Sequence, residues 1–151
     1  LAGSAACQTP MSFFLAMERA NPYDVMPVGA VAQTINQCGG SAEEVEARVR
    51  RATTLDARHP QTPRLHNMLI QRYLADGRYR DAQRCAEWSL GLYCNDAEKI
   101  VLRAVALANL GDTNAARGAI EQVLARDPGQ PAARQLLDQL DRRAGDRGGR
   151  R

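Results

Sequence analysis

The sequence predicts an all-α fold of stacked helical hairpins, and three observations support this prediction. Gly77 and Ala82 recur as Gly111 and Ala116, an offset of 34 residues in each case. Between these points the apolar residues follow helical spacing, and the glycines stand where such helices would end. A fixed period of this length is typical of helix–turn–helix units, each of which buries its apolar face only against the next. With 151 residues, the chain is long enough to bury a core as one domain.

Five helices are predicted in the second half of the chain. Gly77 and Gly111 suit the left-handed residue that closes a helix. Asp127 precedes Pro128, and the residue before a proline avoids helical geometry. Pro131 suits a first helical turn, where its missing N–H loses no partner. These signals place helices over residues 64–76, 81–93, 97–110, 114–126 and 131–143.

Two of these units resemble the tetratricopeptide repeat (TPR) family. In the second unit the matching residues are Ile100, Ala104, Leu107, Gly111, Ala116, Ile120, Val123 and Pro128. In the preceding unit they are His66, Leu69, Tyr73, Gly77, Tyr79, Ala82 and Ser89. Departures from the family's pattern occur at Ile70, Ala86, Cys94 and Arg103. The resemblance implies a short right-handed TPR superhelix of stacked antiparallel helix pairs with a C-terminal capping helix.

The resemblance continues toward the N-terminus with less regular spacing. Pro22 and Pro60 each close a stretch similar to the end of a second helix, and about four extra residues lie between them. Ser41 and Glu44 predict a capping box at the start of the helix before Pro60. The expected TPR-like domain is 10–143. Its segments are a half repeat 10–22, a divergent repeat 24–60, repeats 63–96 and 97–130, and a capping helix 131–143, flanked by a flexible segment 1–9 and a disordered basic tail 144–151.

The family's pattern implies that the first helix of each unit lines a concave groove that binds a protein or peptide partner. The groove-facing residues would be Arg64, Asn67, Gln71, Leu74, Glu98, Val101, Val105 and Asn109, with Gln135 added by the capping helix. This mixture suits an extended or helical peptide with apolar anchors and hydrogen-bonding groups. It differs from the carboxylate clamp of chaperone-binding TPR domains, because Glu98 would repel a terminal carboxylate. The structural alternative is that these residues form solvated helix faces only.

The charge distribution argues against nucleic-acid binding. The net charge is +3, and the tail 141–151 accounts for it with five Arg and two Asp. The remaining chain is therefore neutral and offers little attraction to phosphates. No stretch approaches the roughly 18 consecutive apolar residues of a membrane-spanning helix, so we expect no integral membrane segment in this chain.

The sequence lacks patterns that carry catalysis, which favours a non-enzymatic protein. His66 occupies a packing position of its repeat, and His59 precedes a proline in a turn. Glu43, Glu44 and Glu46 lie early in a helix, where negative charge suits the helix dipole. No glycine-rich phosphate-binding loop is present. We therefore expect no catalytic residue, no cofactor and no metal.

The four cysteines leave the compartment open. They lack the CxxC spacing of zinc or thioredoxin-type sites. Cys85 is predicted to be a small core residue, too far along its helix from Cys94 to form a disulfide. The spacing leaves open whether Cys7 and Cys38 pair. Residues 1–7 are similar to the small-residue end of a secretory signal and to a lipoprotein cleavage box, and the missing initiating Met suggests further chain upstream. Cytoplasmic and periplasmic locations both stay open.

The sequence is compatible with three functions. The favoured one is a TPR adaptor or assembly factor in a bacterial envelope or secretion system. A second is a cytoplasmic chaperone for an aggregation-prone subunit, because residues 84–88 and 107–111 are similar to needle-subunit chaperones of type III secretion. A third is an extracytoplasmic TPR segment of a larger membrane enzyme. The open N-terminal edge around Phe13, Phe14 and Met17 needs a cover from the first residues, from preceding chain or from a partner. Oligomeric state stays open.

Overall fold

The structure is a computed structural model that describes residues 5–148. Within that range the chain forms eight α-helices joined by short turns. The helices are α1 (Ala5–Ala20), α2 (Val25–Gln37), α3 (Ala42–Asp56), α4 (Thr62–Ala75), α5 (Tyr79–Leu92), α6 (Ala97–Asn109), α7 (Thr113–Arg126) and α8 (Pro131–Gly148). The all-α class with packed successive helices is confirmed.

The helices form two compact units. Unit 1 extends to Tyr73 and unit 2 begins at Leu74, so α4 contributes residues to both. In unit 1, α2 packs against α1 and α3. In unit 2, α6 packs against α5, α7 and α8, and α8 also packs against α7.

In unit 1, a disulfide and a helix cap stabilise the turn between α2 and α3. Cys7 in α1 is bonded to Cys38, which follows α2, with a Cα–Cα distance of 5.9 Å. The predicted capping box at the start of α3 is confirmed, because Glu44 N donates to Ser41 Oγ and Ser41 N donates to Glu44 Oε2. The bond and the cap fix both ends of the turn that joins α2 to α3.

Unit 2 contains the regular part of the repeat pattern. Its core combines small and branched side chains, namely Val101, Ala104, Leu107, Ala108, Ala116, Ile120, Val123, Ala133, Leu136 and Leu140. Ala116 is fully buried, as expected for a close helix crossing. Gly77 and Gly111 have φ values of 71° and 94°. Both glycines therefore adopt the left-handed conformation that their positions predicted.

The first and last helices extend further toward the chain ends than the limits that the sequence predicted. α1 begins at Ala5, inside the segment 1–9 that we expected to be flexible. Its first turns carry Cys7, and the bond to Cys38 holds them against the end of α2. α8 continues to Gly148, inside the expected tail 144–151. Residues 1–4 and 149–151 lie outside the described part of the chain.

Candidate partner-binding surfaces

In unit 1, α4 has one buried stripe and one exposed stripe. Its buried side chains are Leu65, His66, Leu69, Ile70 and Tyr73. Of the residues predicted to line the groove, Arg64 and Gln71 are exposed and Asn67 is half-buried. The apolar residues recur at helical spacing, so burying them leaves the polar stripe accessible. The exposed stripe is available to a partner, and its role in binding stays a prediction.

A buried carboxylate holds α4 against α3. The Tyr73 hydroxyl donates to Glu46 Oε2 at 2.5 Å. Glu46 Oε1 accepts from Arg50 Nε and Nη2 at 2.9 and 2.7 Å. Buried charges are stable in a protein only when they are paired and hydrogen-bonded. This arrangement fixes the rotation of α4 and the direction of its exposed stripe. The sequence suggested only a dipole role for Glu46, and a Tyr–carboxylate bond across 27 residues leaves no local signal.

His66 is a core residue, as predicted. Its Nε2 lies 2.9 Å from Thr53 Oγ1, and the Thr53 hydroxyl donates to the Val49 carbonyl at 2.7 Å. Because a hydroxyl has one proton, the tautomer with a proton on Nε2 satisfies both bonds. His66 therefore forms a second polar connection between α4 and α3.

Arg72 connects α4 to the end of α2. Its Nη1 donates to the Asn36 backbone carbonyl and to Asn36 Oδ1, both at 3.3 Å. Its Nη2 donates to the Gly40 carbonyl at 3.0 Å. Carbonyls at a helix end lack intrahelical partners, and a guanidinium satisfies several of them at once. The position of α4 in unit 1 is thus determined by His66 in its first half and by Arg72 and Tyr73 near its C-terminal end.

In unit 2, α6 presents fewer of its predicted groove residues. Glu98 and Asn109 are exposed, and Val105 is half-buried. Val101 is only 6% exposed and belongs to the core, where α8 also contributes side chains. α5, α7 and α8 all pack against α6, so Val101 offers little surface to a partner within this unit.

The two remaining predicted residues are also accessible. Leu74, the first residue of unit 2, is half-buried, and Gln135 on α8 is exposed. The accessible predicted residues of unit 2 are therefore mainly polar. Val101 is therefore too buried to serve as an apolar contact for a partner on the surface of unit 2. The binding role of the other predicted groove residues stays a prediction.

The only lysine of the chain is buried in unit 2. Lys99 is 0% exposed, and its Nζ donates to Asp96 Oδ2 at 2.8 Å. Nζ also lies 5.1 Å from the centroid of the Tyr93 ring, a cation–π distance. Asp96 is the N-cap of α6 and accepts from the Lys99 backbone N–H as well. This ion pair was not predicted from the sequence. The signal that could have revealed it is an Asp at the N-cap position three residues before the lysine.

The described residues contain no group of three or more His, Cys, Asp or Glu side chains that could hold a metal ion. Within the same range, every helix is too short or too polar to cross a membrane.

Comparison with known proteins identifies the fold. No family model and no curated protein matches the chain. The structure is similar to the crystal structure of MamA, a TPR-type protein, with a TM-score of 0.71 and 15% sequence identity. The match covers 89% of this chain and 77% of the MamA chain. The predicted TPR-like fold is therefore confirmed.

Proposed function

We propose that this chain is a non-enzymatic adaptor or assembly factor of a bacterial envelope or secretion system. In unit 1 it binds a partner protein through the exposed face of α4, and in unit 2 the exposed face of α6 is a second, separate candidate surface. The observation that supports this function is a TPR-type fold in which α4 is held by Tyr73, His66 and Arg72 while Arg64 and Gln71 stay exposed. A helix held in this way loses little backbone freedom on binding.

The disulfide supports an extracytoplasmic location. Structural disulfides persist in oxidising compartments such as the periplasm and are rare in the bacterial cytosol. The bond between Cys7 and Cys38 therefore favours an envelope adaptor over a cytoplasmic secretion chaperone. Alkylation of thiols in intact cells, followed by mass spectrometry, tests this part of the proposal. If Cys7 and Cys38 are alkylated without prior reduction, the extracytoplasmic assignment is wrong.

A second candidate is an extracytoplasmic TPR segment of a larger membrane enzyme. Phe13 and Met17 on α1 are 59% and 37% exposed, and large apolar side chains at the edge of a repeat array are normally covered. In this alternative, further chain of the same protein covers them. A reading frame that continues upstream and encodes another domain would support this candidate.

Co-purification with exposed-face variants tests the proposed function. One variant combines Arg64→Glu with Gln71→Glu on α4, and another combines Glu98→Arg with Asn109→Arg on α6. All of these positions are exposed, so the variants should fold. A matched control carries Arg58→Glu, and a second carries Glu121→Arg with Gln122→Arg, also at exposed positions.

The expected result is one partner that co-purifies with the native chain and with both controls but not with the α4 and α6 variants. Cross-linking in an envelope fraction, with identification by mass spectrometry, measures it. Retention of the partner by both the α4 and α6 variants would show that these helix faces are not the binding surface.

A further inference from the structure

Two cavities of unit 1 share the side chain of Leu15. The first lies between α1, the end of α2 and the start of α3, and the second lies between α1 and α3. The first has a volume of about 320 Å³ and is largely apolar, with Met11, Leu15, Ile35 and the Cys7–Cys38 disulfide in its wall. The second has a volume of about 400 Å³ and is lined by Leu15, Glu18, Arg19, Pro22, Arg48 and Arg51. We call the two cavities together the α1–α3 groove.

The second cavity is cationic. Three arginines face one carboxylate, that of Glu18, which leaves a charge of +2. Glu18 is buried, with 6% of its side chain exposed, and it pairs with both Arg48 and Arg51. These two guanidinium side chains stay 27% and 44% exposed. Arg19, in the last turn of α1, has no acidic partner among the described residues.

The buried carboxylate prepares the arginines for an anion. Glu18 accepts from Arg48 Nη1 and from Arg51 Nη1, and the Pro22 carbonyl accepts from Arg51 Nη2 at 3.3 Å. Each guanidinium has five N–H donors, so these bonds occupy only part of them. The remaining donors are held in place by the bonds to Glu18 and Pro22. Arginine donors fixed in this way favour a carboxylate, which accepts from them in bidentate fashion.

The lining of the first cavity favours a ligand that also has an apolar group. Its only charged side chain is that of Glu44, which is engaged by Ser41 N and Ser41 Oγ at the start of α3. Met11 and Leu15 offer a contact surface for an apolar side chain. A small inorganic anion would bind only in the second cavity, and the apolar surface of Met11 and Leu15 would stay exposed to water. The combined chemistry therefore favours a ligand with both an apolar and an acidic part.

We propose that the α1–α3 groove binds an acidic peptide segment of a partner protein, with an apolar side chain in the first cavity and a carboxylate on Arg19 and Arg51. Charge complementarity selects this occupant, because the cationic end of the groove favours an acidic partner. Met11 and Arg19 are separated by about 12 Å along α1, which an extended peptide spans with about four residues. This surface lies on α1 and α3, apart from the helix faces proposed to carry the adaptor function.

Binding of synthetic peptides to the full chain tests the proposal. The probes carry two adjacent leucines, a Ser/Gly spacer of varied length and two adjacent aspartates. Matched peptides replace the aspartates by asparagines or the leucines by serines. Fluorescence anisotropy gives the dissociation constants for the native chain, for Arg19→Gln and for Met11→Gln. The control variants are Arg58→Gln and Met26→Gln, which change exposed residues that do not line either cavity.

The parent peptides with a spacer of intermediate length should bind at least about tenfold more tightly than either matched set. This is the size expected for loss of a charged hydrogen bond in the asparagine peptides and for loss of a buried leucine side chain in the serine peptides. Arg19→Gln should remove the preference for aspartate and Met11→Gln the preference for leucine, while both controls behave as the native chain. Equal binding of all peptides, no binding of any, or unchanged selectivity in both groove variants would overturn the proposal. Displacement by free acetate at the concentration of the peptide, or self-association of the chain that Arg19→Gln abolishes, would also overturn it.

Discussion

Units 1 and 2 both have helical architecture and an apolar core, but unit 1 contains more buried polar side chains. Of the buried polar or charged side chains, Glu18, Thr34, Glu46, Thr62 and His66 lie in unit 1, whereas only Ser89 and Lys99 lie in unit 2. Unit 1 also contains the disulfide. Unit 2 is packed through small and branched apolar side chains, with alanines at the tightest points.

This difference follows the regularity of the repeat. Where the 34-residue pattern is clear, small residues such as Ala116 let helices approach, and dispersion and apolar burial hold them. Where the pattern fades, specific long-range bonds such as Tyr73–Glu46 add to apolar burial in placing the helices. Substitutions can test the comparison within one protein, because the single tryptophan, Trp88, lies on α5 and reports on unit 2 alone. Amide hydrogen exchange of α1–α3 reports on unit 1.

The largest expected effect is the loss of the disulfide. Replacing Cys7 and Cys38 by Ser frees a link that spans 31 residues and should lower the stability of unit 1 by about 2–4 kcal/mol. Hydrogen exchange of the backbone amides of α1–α3 at increasing urea concentrations measures this loss of stability. Cys94→Ser is the control, since Cys94 is exposed and not disulfide-bonded. Equal protection of α1 in the oxidised chain and in the double variant would contradict the prediction.

The next effect concerns the buried lysine of unit 2. Asp96→Ala removes an N-cap and the ion partner of Lys99, and it should cost about 2–3 kcal/mol. Asp112→Ala is a close control, because Asp112 also caps a helix by accepting from Ala115 N. That variant should lose only about 1 kcal/mol. Urea unfolding followed by Trp88 fluorescence compares them, and equal losses would show that the Lys99 ion pair adds nothing.

Close packing of the repeat gives the third prediction. Ala116→Leu adds volume at a fully buried crossing and should destabilise unit 2 by about 1–3 kcal/mol. Ala115→Leu is the matched control at the neighbouring exposed position and should change stability by less than about 0.5 kcal/mol. Thermal unfolding measures both. An unchanged melting temperature for Ala116→Leu would count against small-residue packing as the basis of unit 2.

The smallest effect is that of a single hydroxyl in unit 1. Tyr73→Phe removes one donor from the buried Glu46 carboxylate and should cost about 1–2 kcal/mol. Tyr79→Phe, at a half-buried position of unit 2, serves as the control. Exchange rates of α3 and α4 amides should rise only for Tyr73→Phe. If they do not, the polar bridge does not hold α4, and the contrast between the two units is weaker than proposed.

Local features were predictable from the sequence. The 34-residue period, the helix closures at Gly77 and Gly111, and the capping box at Ser41 and Glu44 depend on residues close in the chain. Their conformations are set by short-range sterics and hydrogen bonds, so the pattern of residues is sufficient to recognise them. The exposure of Arg64 and other polar residues of α4 followed from the same helical spacing.

The sequence by itself thus determined the TPR-type repeat and the boundaries of α4 to α7 within about two residues, whereas α1 and α8 extend further toward the chain ends than predicted. Only the tertiary structure decided that Cys7 pairs with Cys38, that Glu46 and Glu18 become buried partners, and that Val101 is buried in the core to which α8 contributes. These outcomes depend on which helices meet and at what rotation. Side chains distant along the chain carry no mutual pattern in a single sequence, and their interaction energies are set only when packing brings them together.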